Sequence, residues 1–407
     1  MGRVNYALFL AVVALLPFPQ IFLRYACVAW IIAWFLELRW LSNLKSKIYN
    51  LKSSIPFLLF GLWFAWNLLS GLWADNHEAW HWQIERYITF GALVPVGIWG
   101  LNEYYNWRQI GKVFVISCLC AVFFYPAFLT LLLHHREIID THSFLWTWWD
   151  YSTFEWFHFY TTNLSHLKHR LFLAAVETMG IVVATKLWFD RRWLWAITSS
   201  LMVISVLLTG SRQAAVSMLI ITLIALYWWL NKHLSRRAGA WIIIGTILVM
   251  GVSLSLHPRI RHLDMQEEFR PLLWQTALQQ PEDYFWTGLG SGQDGVYLLS
   301  RLPEDKIPKI FFGTLGHCHN QYLQELIELG VFGLILFVLA WLSIPLCAPK
   351  EKRRIAILFT VLYVCNMFTD CMFGMYCGIA LWAVAILFIC APSLPPHSAS
   401  DREACKD

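Results

Sequence analysis

"GTLGHCHNQYLQELIELGVFGLILFVLAWLSIPLC", residues 313–347, opens as a small polar turn and closes as a long apolar run. From residue 322 to 347 the run exceeds the roughly 20 residues that a helix needs to cross about 30 Å of hydrocarbon. Two histidines, His317 and His319, stand just ahead of it. Titratable groups at the mouth of a membrane helix raise the question of what surrounds that helix.

The rest of the chain has the same character. It has 407 residues, 58% hydrophobic and 14% charged, where a soluble domain is about a quarter charged. Apolar runs recur at about 5–18, 22–42, 55–73, 87–101, 110–133, 170–189, 193–209, 212–230, 238–256, 322–347, 354–371 and 374–392. In lipid each segment must satisfy its own backbone, so these runs are helices. They are continuous, unlike the short alternating strands of a membrane barrel. The expected fold is an all-α polytopic membrane protein, with about 12 transmembrane helices and a large, partly helical periplasmic loop. Helices 1–9 occupy residues 1–256, with short loops and an aromatic-rich periplasmic segment at 134–169. The large loop is 257–320, and 321–407 carry helices 10–12 and a cytoplasmic tail.

Basic residues set the orientation. Arg39, Lys45, Lys47 and Lys52 follow span 2; Arg191 and Arg192 follow span 6; Lys232, Arg236 and Arg237 follow span 8. Lys350, Lys352, Arg353 and Arg354 follow span 10, so all these loops share one side, the cytoplasm, with both termini. The first apolar stretch carries one arginine and no small-residue cleavage site, and reads as an uncleaved span. The net charge of +5 is spread over these loops and points to topology, not to nucleic acid. Most of the ten cysteines lie in apolar runs, where cysteine is a small hydrophobe, and none has zinc spacing.

The outer loops are 73–86, a segment from His134 to Arg170, and 257–320. "FLWTWWDYSTFEWFHFY" (144–160) reads either as an aromatic belt at the headgroups or as the wall of a lipid- or sugar-binding cavity. In the longest loop, Leu272, Leu273, Thr276 and Ala277 have helical spacing, ended by Pro281. "GLGSG" (288–292) follows as a flexible turn, without the strand that a dinucleotide fingerprint requires.

Four outer places carry chemistry. Arg212, after Gly210 and Ser211, opens span 8 against the positive-inside bias. It is either a snorkelling side chain on lipid phosphate or a fork for a substrate phosphate, aided by the helix start. Arg270 and Arg301 in the long loop are either solvated or, with Arg212, a positive cleft. His319 has a base near neutral pH, Asn320 is a helix cap, and His317 with His319 is also a weak metal pattern. "SHLKHRLFL" (165–173) sets His166, His169 and Arg170 at the start of span 6, as site residues or as interfacial polar groups. Asp370, at the outer end of span 11, is a lone acid placed to orient a histidine or an arginine.

The order "GSRQA", a long outer loop with R-x-x-x-W-x-x-A and "GLGSG", then "GHCHNQYLQELIELGVFGL" resembles the O-antigen ligase and polymerase superfamily of bacterial envelope glycosyltransferases. The resemblance runs over roughly residues 160–345; the first half of the chain matches in hydropathy alone. "SHLKHR" and "DGVY…R" are similar to lipopolysaccharide O-antigen ligases. One departure is Gln213, where the family often has glycine after S-R. The resemblance implies an inverting transfer of a glycan from undecaprenyl diphosphate to a sugar hydroxyl of lipid A-core. The reaction would take place at the periplasmic face of the inner membrane, with no metal, nucleotide or other cofactor. It implies His319 as the base and Arg212, Arg301 and Arg270 as diphosphate ligands. His317, Asn320, His169, Arg170 and Asp370 would support them. The partners implied are the lipid-linked donor, the lipid A-core acceptor and the bilayer, not nucleic acid; the oligomeric state stays open, a monomer being one option. Alternative readings are an O-antigen polymerase, a protein oligosaccharyltransferase, or a transporter of polyisoprenoid-linked glycans. Few charges lie at mid-span, where a transporter would hold its site.

Overall fold

The computed structural model describes residues 2–37, 51–101, 104–135, 169–188, 190–233, 270–302 and 316–390, with single residues at 237, 245 and 248. Among the described residues every regular element is helical. They are α1 (Gly2–Leu15), α2 (Gln20–Leu36), α3 (Leu51–Leu69), α4 (His77–Trp99), α5 (Trp107–His135), α6 (Arg170–Trp188) and α7 (Arg192–Leu208). After them come α8 (Arg212–His233), α9 (Arg270–Ala277), α10 (Asp294–Arg301), α11 (Gln321–Cys347), α12 (Arg353–Met367) and α13 (Tyr376–Cys390). Five segments are long and apolar enough to cross a membrane: Lys52–Leu72, Trp107–Phe128, Arg170–Trp188, Arg212–Asn231 and Gln321–Cys347. Helices α1, α2, α7 and α13 are shorter and apolar. Apart from Gly245 and Leu248, the span expected at 238–256 lies outside the described residues, as does the aromatic stretch 144–160.

One boundary differs from the hydropathy reading. Helix α4 starts at His77, so most of the expected outer loop 73–86 is helical. Its start is set by Asn76, whose side chain accepts from the Ala79 amide at 3.0 Å. Hydropathy responds to lipid exposure, and the polar text "HEAWHWQIER" (77–86) hides a helix that a cap begins.

Helix α11 lies on α3, and α3 on α4; α6 pairs with α5 and α7, and α8 with α12. An aromatic hub ties five helices together. The rings of Trp63, Phe90, Phe337, Trp341, Tyr363 and Trp382 stand 4.7–6.2 Å from that of Phe373. Phe373 belongs to the turn between α12 and α13, so the apolar core fixes that turn in place.

Helix α11 is not regular. Gly330 has φ 68° and ψ −171°, a conformation open in practice to glycine alone. The kink releases backbone groups that must find partners elsewhere. The carbonyls of Ile327 and Glu328 accept from the amides of Leu289 and Gly290, each at 2.9 Å, and the Val331 amide donates to the Phe285 carbonyl at 2.7 Å. The "GLGSG" turn is therefore docked rather than flexible. A Cβ on Gly288 would stand 2.2 Å from the Glu328 carbonyl oxygen.

Before the kink, α11 carries a buried polar stripe at i, i+3, i+4 and i+7: Gln321, Gln324, Glu325 and Glu328. Polar groups inside a membrane bundle require partners. Trp63 Nε1 donates to Glu325 Oε2 at 2.7 Å, Gln321 Nε2 to Glu325 Oε1 at 2.8 Å, and Gln324 Nε2 to Glu328 Oε1 at 2.9 Å.

Candidate functional site

Residues 316–320 form a non-helical strap that leads into α11. Its burial alternates: Cys318 and Asn320 are buried, while His317 and His319 are half-buried. Cys318 is the anchor. Its amide donates to Asp294 Oδ2 at 3.2 Å, and its carbonyl accepts from Trp274 Nε1 at 2.9 Å. The two histidines on the opposite side are thereby held together, with ring centroids 4.1 Å apart. His319 has φ +50°, the one non-glycine residue with positive φ among the described residues. Strain of this kind persists where the surroundings over-determine it. Asn320 is the expected cap: its Oδ1 accepts from the Tyr322 and Leu323 amides at 3.0 and 3.1 Å.

Facing the strap is the turn 368–375, which the Phe373 hub holds from below. Three helices clamp it from the sides. Gln213 Nε2 of α8 donates to the Thr369 carbonyl at 2.8 Å, and the Phe373 amide donates to Gln321 Oε1 of α11 at 3.0 Å. Arg86 Nη1 of α4 donates to the Gly374 carbonyl at 3.3 Å. Gln213, which departs from the family pattern, thus ties the start of α8 to the neighbour of Asp370. In this clamped turn Asp370 Oδ1 lies 3.5 Å from His319 Nδ1 and accepts from the Cys371 amide at 2.9 Å.

The electrostatics follow from burial and from this cluster. Burial pushes the Asp370 carboxyl up, but the His319 contact and the nearby His169 and His317 outweigh it, so the group lies well below the usual carboxylate range. Burial, helped by His319, lowers His317 to about 4, and burial also lowers His169. Both rings are neutral at working pH. Neutral His317 accepts the His319 amide at its Nδ1, 3.2 Å away.

The other expected residues fall as follows. Arg212 is the first residue of α8, beside Gln213, and Arg170 the first of α6, beside His169. Arg270 opens α9, whose Trp274 holds the strap, and its charge acts on His169. Arg301 closes α10, half-exposed; it pairs with Asp283 at 2.8 Å and lies over the Tyr297 ring at 5.4 Å. His166 lies outside the described residues. Two contributors were not singled out from the sequence: Arg86, whose charge acts on His317, and Asp294 beneath the strap; Gln213 was noted only as a departure from the family pattern. Arg86 had a readable signal, a basic residue on the outer side against the positive-inside bias.

Chemically, an imidazole 3.5 Å from a carboxylate oxygen, as His319 Nδ1 is from Asp370 Oδ1, is suited to exchange a proton. His317, His319 and Asp370 also offer one donor atom each within 4.8 Å of one another, a set with the chemistry of metal ligands. A search of curated proteins finds no match to the chain. A family profile described as O-antigen ligase matches residues 197–338, from α7 into the kinked α11. That stretch takes in Arg212, Arg270, Arg301, His317 and His319. Residues 197–338 are therefore similar to the O-antigen ligase family, within a chain whose described elements are helical and include five helices long and apolar enough to cross a membrane.

Proposed function

We propose that the protein is an O-antigen ligase. It moves a glycan from undecaprenyl diphosphate to a sugar hydroxyl of lipid A-core at the periplasmic face of the inner membrane. The observation that carries this reading is the His319–Asp370 pair at 3.5 Å, at the mouth of α11, with α4, α8 and α9 each bringing an arginine to the same end. His319 Nε2 takes the proton of the acceptor hydroxyl as its oxygen attacks the anomeric carbon. The bond from that carbon to the diphosphate breaks, and the lipid diphosphate leaves with the electron pair. Arg212, Arg270 and Arg86 stabilise the charge that builds there. Arg301 joins them by exchanging Asp283 for the diphosphate. Attack opposite the leaving group inverts the anomeric centre, and no metal takes part in the transfer. The basic loops after spans 2, 6, 8 and 10, expected on the cytoplasmic side, support an outer position for the site.

The test uses purified protein in detergent with undecaprenyl-diphosphate-linked glycan, lipid A-core and EDTA. Transfer to lipid A-core is the expected result, and His319→Ala should lose at least about 10²-fold in rate while remaining folded. Longer lipid-linked chains without transfer would mean a polymerase. Movement of the donor across liposomes without turnover would mean a transporter.

A further inference from the structure

The donor set at the strap has a second use. A tetrahedral site with bonds of about 2.0–2.1 Å has ligand-to-ligand edges of about 3.3–3.4 Å. His319 Nδ1 and Asp370 Oδ1 are already 3.5 Å apart, and the donor atoms of His317, His319 and Asp370 all lie within 4.8 Å of one another. Two imidazoles and one carboxylate suit Zn2+ and similar ions, not the oxygen-seeking Mg2+ or Ca2+. A second observation points the same way. Among the described residues the buried Nδ1 of His169 has no hydrogen-bond partner, and it is near enough for the charges of Asp370 and His319 to act on it. That nitrogen is available as a fourth donor or as an outer partner of the ion.

We propose that His317, His319 and Asp370 form a reversible inhibitory site for a first-row divalent transition ion, typified by Zn2+. Coordination at His319 Nδ1 moves the ring's single proton to Nε2, with no net proton released from the neutral ring. Nε2 then has no lone pair to offer, and the base is switched off while the ion is bound. The charges of Arg86 and Arg270 reach the neighbouring His317 and His169 and oppose a dication. They weaken binding, so the ion is exchangeable rather than a resident cofactor. The inhibitory consequence rests on the proposed role of His319; the binding does not.

The experiment therefore reads binding first. Purified full-length protein in detergent is titrated with Co2+, and the visible d–d absorption of a tetrahedral nitrogen–oxygen site is recorded, then displaced by Zn2+. His317→Ala and Asp370→Asn should each weaken Co2+ binding at least tenfold. Zn2+ but not Mg2+ should raise the unfolding temperature of the wild type, a readout that survives if either variant fails to fold. In the transfer assay, micromolar Zn2+ should suppress turnover and EDTA restore it. Absence of the d–d bands and of Zn2+ stabilisation in the wild type would overturn the proposal, as would bands that persist unchanged in both variants. Binding without inhibition would overturn the inhibitory role and leave the site. Loss of transfer activity altogether would count against the ligase reading, not against metal binding.

Discussion

At His319 the ring nitrogen Nδ1 lies 3.5 Å from Asp370 Oδ1, and the side chain is 25% exposed. In the proposed mechanism Asp370 positions His319, and Asp370→Asn should lower kcat by about 10²-fold or more with KM little changed. The pH–rate profile of the variant should also shift, because the carboxylate no longer fixes the tautomer. An unchanged profile with a merely lower Tm would mean a structural role alone. Asp294 makes a different prediction. Burial raises its carboxyl above 3.8, opposed by the Glu328 contact and by the Cys318 and Gly295 amides. The native state binds this proton more tightly than the unfolded chain. The stabilisation is complete below about pH 3.8 and is lost as pH rises through the raised native value. Asp294→Asn keeps an acceptor for the Cys318 amide and has no proton to lose. Thermal unfolding in detergent should favour the variant increasingly as pH rises from 4 to 8; a trend in favour of wild type would sink this account. His319, Asn320 and Asp370 were legible because their types and places in the sequence are unusual for a membrane chain. Asp294 and Arg86 were not, because their partners, Cys318 and Gly374, lie 24 and 288 residues away.

At the scale of elements, the joint between residues 285–290 and the Gly330 kink decides where α11 points. Two loop amides and one loop carbonyl replace the bonds that a straight helix would make with itself. Gly330→Ala forces a side chain into φ 68° and sets a Cβ 2.2 Å from the Trp286 carbonyl oxygen. The strain alone costs about 1–3 kcal/mol, and Tm in detergent should fall accordingly. Leu289→Ala keeps its amide bond to Ile327 and should cost less. Equal losses would mean that side-chain packing, not the backbone joint, holds the turn. The helices themselves were readable from apolar run length, and most limits fall within a few residues of expectation. The joint was not. "ELGVFGL" (328–334) holds two glycines inside an apolar helix, and only the arrival of "GLGSG" shows which one bends. The polar stripe of α11 was present in the text as Q-x-x-Q-E-x-x-E, but reading the run only as a membrane span passed over it.

At the scale of the whole molecule, Arg86, His169, Arg212, Arg270, His319 and Asp370 come from six separate places in the chain and meet at one end of the bundle. The basic loops led to the expectation that those places share one side of the membrane, but they do not tell which residues touch. Contact is decided by helix pairing, above all α11 on α3, and single-chain hydropathy carries no record of it. Trp63→Phe tests that pairing: it removes the donor to Glu325 Oε2 and should cost about 1–3 kcal/mol by leaving a buried acceptor unsatisfied. Combined with Glu325→Gln, the two losses should be non-additive in Tm; simple addition would mean that the contact is incidental.

The same contact has a consequence for how the chain is made. Trp63 and Glu325 are 262 residues apart, so at about 5–20 residues per second α3 leaves the ribosome roughly 13–50 s before its partner. During that interval α3 looks after its own polar groups: Asn67 Nδ2 donates to the Trp63 carbonyl and the Ser70 hydroxyl to the Asn67 carbonyl, at 2.9 and 2.7 Å. Only when translation delivers α11 do Glu325 and the Ser291 hydroxyl, which bonds Asn67 Oδ1 at 2.8 Å, complete the arrangement. The strap with its histidines directly precedes α11, so this end of the bundle closes among the last events of biosynthesis, and whatever chemistry it performs waits until the chain is nearly finished.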